Sequence, residues 1–100
     1  EVGDHAGEME TSLMQFFTPE WVLPLDQAGD GGERKFKIKA LRQGRAWTQR
    51  DWMQVTADTG VGNPAAASAA KGQRCWQDVG SKLGEFLVEL AAADVEDLYE

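Results

Sequence analysis

The sequence is poor in the residues that build disulfides and metal clusters. Its 100 residues contain one cysteine, Cys75, and one histidine, His5. A single cysteine excludes an internal disulfide and favours a reducing compartment, so we predict a cytoplasmic protein. No run reaches the roughly 20 apolar residues of a membrane-spanning helix, and we expect neither a membrane partner nor a secretory leader. Since the chain does not begin with methionine, we interpret it as processed or as a piece of a longer protein.

Basic residues are also scarce, with 10 Lys and Arg against 17 Asp and Glu, for a formal net charge of −7. Because phosphate binding depends on clustered Lys and Arg, we expect no nucleic-acid partner. The hydrophobic fraction of 42% and the four tryptophans favour a packed globular protein over a disordered one. Residues 1–100 are enough for at most one domain.

Two helices are indicated by hydrophobic spacing. The first begins near Gly7 or Glu8 and stops at Thr18, since a residue that precedes proline avoids the α region. The second begins at Asn63 as N-cap with Pro64 in the first turn. It continues through an apolar stripe made of Cys75, Trp76, Val79, Leu83, Phe86, Leu87 and Leu90.

Other local patterns fill in the rest of the chain. Gly80 and Gly84 lie one turn apart, so we predict that they allow a neighbouring element to approach closely. Apolar and lysine residues alternate over residues 36–40, which predicts a strand, and a weaker extended signal covers residues 52–56. Cys75 lies on the apolar stripe and is interpreted as a small core residue. The acidic tail, residues 94–100, is expected to be frayed or separately docked.

His5, with Glu8 and Glu10 nearby, is the one group of residues with catalytic potential. An imidazole can exchange protons near neutral pH, and a carboxylate can fix its tautomer. His5 and Glu8 also have the three-residue spacing of some helical metal ligands. The alternative is a histidine that only caps the start of a helix.

Three further features have structural explanations beside functional ones. Residues 60–64 precede a helix like a phosphate-binding loop but lack its Gly-Lys-Ser/Thr ending, so a tight turn is the better interpretation. Lysines 35, 37 and 39, with Arg34, form either a basic patch or a solvated edge that resists aggregation. Trp47 or Trp52, in predicted loops, could wall a pocket.

The sequence around His5 resembles the creatininase family of amidohydrolases. The matching residues are His5-Ala6-Gly7-Glu8, Glu10-Thr11-Ser12-Leu13-Met14 and Pro19, followed by Thr59-Gly60-Val61-Gly62-Asn63-Pro64 and Lys71-Gly72. They occur in the order that the family has them and correspond to the C-terminal part of a member. The resemblance implies the C-terminal part of an α/β domain, a three-layer α/β/α sandwich, here with a short helix, one or two strands and a long C-terminal helix.

The resemblance also implies a hydrolase of non-peptide C–N bonds in small amides, usually a homo-oligomer. It implies a divalent metal cofactor (zinc, manganese or iron), held mainly by residues outside this segment, in the remainder of the family domain. His5 would shuttle a proton to the leaving nitrogen, and Glu10 would orient the site or cap the helix. Asp4 and Glu8 would contact substrate. Creatinine-hydrolysing members carry a tryptophan before this histidine, and its absence here favours another amide or a formamide.

Two other functions remain open from the sequence. One is a non-catalytic binding or assembly module built on the same scaffold. The other is a small acidic interaction protein with an accidental similarity to the family.

Overall fold

The computed structural model describes residue 3 and residues 5–100, and this part of the chain is mainly helical. Its α-helices are α1 (Glu8–Phe17), α2 (Lys39–Arg42), α3 (Trp52–Val55) and α4 (Ala69–Ala92). One-turn 3-10 helices lie at Pro19–Trp21, Leu25–Gln27 and Pro64–Ala66. Within the described residues, extended pairing is limited to two isolated antiparallel bridges, which join His5 to Val61 and Glu33 to Thr56. The described residues are therefore mostly helical, whereas the three-layer sandwich stays a prediction.

Helix α1 lies within the predicted limits. It begins at Glu8 after Gly7, and the carboxylates of Glu8 and Glu10 lie in its first turn, where the helix dipole favours negative charge. It ends at Phe17, and the backbone N–H of Thr18 closes the last turn on the carbonyl of Met14 at 2.8 Å. The termination predicted before Pro19 is confirmed.

The strand predicted over residues 36–40 is wrong. Residues 36–38 have no regular structure, and Lys39 begins the single helical turn α2. A strand requires a neighbour for its backbone N–H and C=O groups, and none of the described residues pairs with this stretch. Ile38 is 62% exposed, so the alternating pattern reflects no buried face in this structure.

The extended signal over residues 52–56 is also wrong, because Trp52–Val55 forms the helical turn α3. The backbone N–H groups of Gln54 and Val55 both donate to the carbonyl of Asp51, at 3.0 Å each. Extended pairing begins only at Thr56, which bridges to Glu33. β-branched and aromatic residues favour strands, but local hydrogen bonds decide a segment this short.

The long helix starts later than predicted. Asn63 does act as a cap, since its Oδ1 accepts the backbone N–H of Ala65 at 2.9 Å, but the turn that it caps is the short 3-10 helix. Ala67 then adopts an extended conformation, and Ser68 provides a second cap by accepting from the N–H of Lys71. Helix α4 therefore begins at Ala69.

Helix α4 packs against α1 at Gly72. A Cβ added to Gly72 would overlap the carbonyl oxygen of Ser12, so only glycine allows the two helices to approach this closely. Further along the contact, the rings of Phe17 and Trp76 meet edge to face with centroids 5.0 Å apart. None of the described residues outside α4 approaches Gly80 or Gly84, so the close approach predicted there stays a prediction.

Much of the apolar surface is uncovered. The chain exposes 8305 Å², whereas a compact monomer of 11.0 kDa exposes roughly 5,600 Å². Its radius of gyration is 18.4 Å, against about 13 Å for a compact domain of 100 residues. Cys75 is only half-buried on α4, and the 94–100 tail is exposed. Among the described residues, no helix has the length and apolar character needed to cross a bilayer.

Candidate functional site

The two sequence motifs, far apart in the chain, meet at His5 and Val61. The backbone N–H of His5 donates to the carbonyl of Val61 at 3.1 Å, and the N–H of Val61 donates back to the carbonyl of His5 at 2.8 Å. Gly62 continues the contact by donating its N–H to the carbonyl of Gly31. Gly62 has a φ of 128°, so the segment before Asn63 forms the tight turn expected for it. Val61 is buried, which fixes the backbone that carries His5.

Ala6 holds an unusual backbone conformation directly beside His5. Its φ is +54°, in the left-handed region that residues other than glycine rarely adopt. Both of its peptide groups are restrained: the N–H donates to Oε2 of Glu10 at 2.6 Å, and the carbonyl accepts from Oγ1 of Thr11 at 3.2 Å. These two side chains of α1 therefore hold the turn that leads from His5 into the helix.

The ring of His5 is exposed and rests on Trp52. The two ring centroids lie 5.9 Å apart at an interplanar angle of 82°, an edge-to-face contact. The indole N–H of Trp52 donates to the carbonyl of Thr59 at 3.0 Å, which fixes the indole against the second motif. His5 is thus an exposed residue whose ring has one aromatic neighbour.

Arg50 contacts the ring of Trp52 and is itself held by Glu33. The guanidinium carbon of Arg50 lies 4.9 Å from the centroid of the Trp52 ring, within cation–π range. Arg50 also donates to Oε2 of Glu33 at 2.5 Å, and Lys35 pairs with the other oxygen of that carboxylate. The hydrogen bond from Lys35, together with the charges of Lys35 and Arg50, lowers the pKa of Glu33 below its ordinary value. The carboxylate therefore stays ionised and holds Arg50 in place.

Glu8 points away from His5 and towards α4. It forms an ion pair with Lys71, and the hydrogen bond from Lys71 lowers the pKa of the Glu8 carboxyl. Lys71 also donates to the carbonyl of Ala66 at 2.6 Å, so one ammonium group joins α1 to the start of α4. Since His5 precedes the helix, the shared helical face that the His5–Glu8 spacing would give is not formed.

Ser12 joins the same two helices from inside. Its side chain is buried, with 1% exposure, and its Oγ donates to the carbonyl of Glu8 at 2.6 Å. The same oxygen accepts the backbone N–H of Ser68 at 3.1 Å. A serine one turn inside α1 therefore anchors the residue that caps α4.

A cavity of about 730 Å³ opens beside His5. Its polar lining includes His5, Glu10, Thr11 and Asp58, and the carboxylate of Asp58 accepts the backbone N–H of Gly60 at 3.1 Å. Its apolar lining comes largely from α1 and the stretch that follows: Leu13, Met14, Trp21, Val22, Leu23, Pro24 and Leu25. The arrangement places an acid–base group at one end of a largely apolar cleft.

The structure brings together only part of the predicted site. His5 and Glu10 line the cavity, whereas Glu8 does not, and Asp4 lies outside the described residues. The sequence interpretation missed Asp58, which enters the cavity from the loop before the second motif. A lone aspartate in a loop carries no spacing signal, so nothing in the sequence singled it out. The catalytic and substrate-binding roles of the predicted residues stay predictions.

The described residues do not fit a divalent metal site. Over residue 3 and residues 5–100, no three His, Cys, Asp or Glu side chains come together as such a site requires. Asp58 and Glu10 line the same cavity as His5, but each accepts a hydrogen bond from a nearby backbone N–H. We therefore derive no chemical step through a metal held by this chain.

Two comparisons with known proteins found relatives of this chain. The creatininase family model, described as creatinine amidohydrolase, matches residues 1–87. A crystal structure from Bacteroides fragilis NCTC 9343, named as a candidate creatinine amidohydrolase, is 43% identical with a TM-score of 0.86. The match covers 100% of this chain but only 39% of that protein, and no curated protein matches. With most of its length matched to the family model, this chain belongs to the creatininase family.

Proposed function

We propose that this chain carries the proton-transfer residue of a creatininase-type hydrolase that cleaves a non-peptide C–N bond in a small amide. The observation that carries the proposal is the placement of His5. Its imidazole is exposed at the end of a cavity, while its backbone is held by Val61 and by the restrained turn at Ala6. A proton shuttle needs an accessible ring on a rigid backbone, and these contacts supply both.

The chemistry assigned to His5 is a proton transfer to nitrogen. In amide hydrolysis, water adds its oxygen to the carbonyl carbon, the C–N bond breaks, and the departing nitrogen takes a proton. The neutral His5 imidazole takes a proton from the water as its oxygen bonds to the carbonyl carbon, and the imidazolium so formed donates that proton to the nitrogen as the C–N bond breaks. Glu10 acts on this step through the backbone, because its carboxylate holds the N–H of Ala6 next to the histidine. We propose that the divalent metal expected for the family is held by protein outside this chain.

The cavity supports an amide other than creatinine as the substrate. Its apolar lining is large compared with its few polar groups, and Trp21 and Leu23 at the cavity are 74% and 72% exposed. Burying such surface favours a substrate with an apolar substituent next to the scissile bond.

Replacement of His5 in the full-length protein tests the proposal. We expect His5→Ala to lower kcat by about 10²–10⁴-fold on a panel of small cyclic amides, linear amides and formamides. Metal content, measured by elemental analysis, should stay unchanged, because His5 is assigned no ligand role. The exposed residue Gln73 on α4 provides the control, and Gln73→Ala should leave kcat as it is. Turnover that survives in His5→Ala would show that the proton comes from another group.

A non-catalytic binding or assembly module is the second candidate. This candidate predicts a well-folded full-length protein that contains no stoichiometric divalent metal and hydrolyses none of the amides. Stoichiometric metal together with turnover would exclude it.

A further inference from the structure

Positive charge is concentrated in one stretch of the chain. Seven of the ten Lys and Arg residues lie between positions 34 and 50, and no Asp or Glu interrupts them. We call residues 34–50 the basic segment. All 17 acidic residues and only three basic residues lie outside it, so a chain of net charge −7 carries one strongly positive surface. Such separation of charge favours contact between unlike surfaces.

The basic segment lines a cavity of its own, of about 640 Å³. Four cationic side chains contribute to its wall: Arg34, Lys35, Arg42 and Arg50. Phe36, Leu41 and Trp47 add apolar surface to the same wall, and Trp47 is 87% exposed. A cavity with cationic groups around an exposed indole fits a partner that combines carboxylates with aromatic or aliphatic side chains.

Among the described residues, most cations of the basic segment have no ion-pair partner. Glu33 pairs with Lys35 and Arg50. Within the described part of the chain, Lys37, Lys39, Arg42 and Arg45 take part in no ion pair. Four cations and one carboxylate, that of Glu33, line the cavity, so its lining has a net positive charge.

The acidic tail, residues 94–100, has the complementary composition. Four of its seven residues are carboxylates, and none is basic: Asp94, Glu96, Asp97 and Glu100. Its three other side chains are all exposed, with Val95 at 76%, Leu98 at 52% and Tyr99 at 91%. A short acidic peptide with an aromatic residue is the kind of partner that the cavity fits.

No residue of the acidic tail is among the described residues that line the cavity. Among the described helices, α4 packs only against α1 and makes no contact with α2 or α3, which lie in or beside the basic segment. The tail leaves the far end of α4, a helix of 24 residues that is about 36 Å long. We propose that the acidic tail of one copy docks into the basic segment of a second copy, and that this contact holds a homo-oligomer together.

Symmetry doubles the contact in a dimer, because each copy offers one basic segment and one acidic tail. The interaction depends on exposed charges, so it weakens as ionic strength rises. It does not depend on His5 or on any catalytic role for this chain.

Paired charge reversals in the full-length protein test the contact. One variant, Arg34→Glu/Arg42→Glu, leaves three carboxylates against two cations in the cavity wall and makes it acidic. The other, Glu96→Lys/Asp97→Lys/Glu100→Lys, leaves one carboxylate against three lysines and makes the tail basic. In sedimentation experiments, each variant alone should self-associate about tenfold more weakly than wild type. An equimolar mixture should recover, because a heterodimer pairs the reversed wall with the reversed tail and the native wall with the native tail. Recovery also shows that both variants are folded.

A matched control separates the contact from general charge. Arg74→Glu/Lys82→Glu changes the net charge by the same amount as Arg34→Glu/Arg42→Glu does, but on α4, outside the basic segment, and should associate as wild type does. Unchanged self-association of the reversed variants, failure of the mixture to recover, or equal weakening in the control would each refute the proposal. Binding of inorganic phosphate tests whether the cavity is a site for small anions. If phosphate binding is lost in Arg34→Glu/Arg42→Glu while self-association is retained, the cavity is an anion site instead.

Discussion

The two halves of α4 carry the same apolar stripe but have different surroundings. The first half, residues 69–80, is tied to α1 through Gly72, the Ser68 cap and the Lys71–Glu8 ion pair. The stripe residues are more than half exposed in both halves, namely Trp76 and Val79 in the first and Leu83, Phe86, Leu87 and Leu90 in the second. The halves therefore differ in their ties to α1 and not in the exposure of the stripe. Both halves have helical geometry, and only one has a partner within the described residues.

This difference shows what a hydrophobic pattern specifies. Spacing of three and four residues determines that a segment forms a helix with an apolar face. It does not determine what covers that face, because covering depends on close approach and on polar groups that find partners. In the first half those conditions come from a glycine, a buried serine and a lysine, none of which belongs to the stripe.

The largest expected effect comes from Gly72→Ala. The added Cβ would overlap the carbonyl of Ser12, so α1 and α4 must separate, and we expect a loss of about 1–3 kcal/mol in the free energy of unfolding. The comparison is Gly84→Ala in the second half, where the Cβ meets open space. There we expect a gain of about 0.4–1 kcal/mol, because alanine reduces the freedom of the unfolded chain. Urea unfolding measures both.

If the two glycine variants shift the urea midpoint in the same direction, the contrast between the halves of α4 is wrong. A stabilising Gly72→Ala would mean that the helices move apart at little cost.

A smaller loss is expected from Ser12→Ala. The buried hydroxyl joins the carbonyl of Glu8 to the N–H of Ser68, and its removal leaves the Ser68 N–H without this acceptor. We expect the free energy of unfolding to fall by about 1–3 kcal/mol, towards the lower end of this range because the groups lie near the start of α4. Ser81→Ala in the second half removes only a 3.4 Å contact with Glu85 and should change stability by less than about 0.5 kcal/mol. If the two serine variants lose the same amount of stability, Ser12 does not anchor α4 to α1.

The smallest effect concerns the Glu8–Lys71 ion pair and shows itself in pH dependence. The folded-state pKa of Glu8 lies below its ordinary value of 4.5, chiefly because Lys71 donates a hydrogen bond to it. The pair therefore stabilises the fold above that pH, and the contribution is lost as the pH falls through the folded-state pKa. We expect Glu8→Gln to be less stable than wild type at neutral pH and equal to it in acid. Thermal unfolding, measured from neutral pH to below the folded-state pKa of Glu8, checks whether the stabilities of the two proteins become equal.

A difference between wild type and Glu8→Gln that persists in acid would show that Glu8 acts through packing and not through its charge. Asp78→Asn provides the exposed comparison, since it breaks the Lys82–Asp78 pair on the surface of α4. There we expect a change of less than about 0.5 kcal/mol.

The sequence alone predicted the limits of α1 and the family, and it singled out His5 as the candidate acid–base residue. The limits of α1 followed from local rules, namely the first-turn carboxylates and the proline after Thr18. The same rules failed at residues 36–40 and 52–56, because alternation over five residues does not decide between a strand and a helical turn. Asp58 was missed for a related reason: its place in the same cavity as His5 depends on how the chain folds back and not on sequence spacing.

By itself the sequence determined where α1 begins and ends, that residues beyond Asn63 form a helix, and which family the two motifs belong to. The helix limits depend on neighbours within one or two turns, where hydrogen bonds and steric limits are local. The family follows from the residues of the two motifs and their order. Only the tertiary structure decided that His5 pairs with Val61, that Glu8 serves Lys71 instead of the cavity, and that Gly72 is the point of close approach. These contacts join residues more than 50 positions apart, and no local preference fixes which distant partner a residue meets.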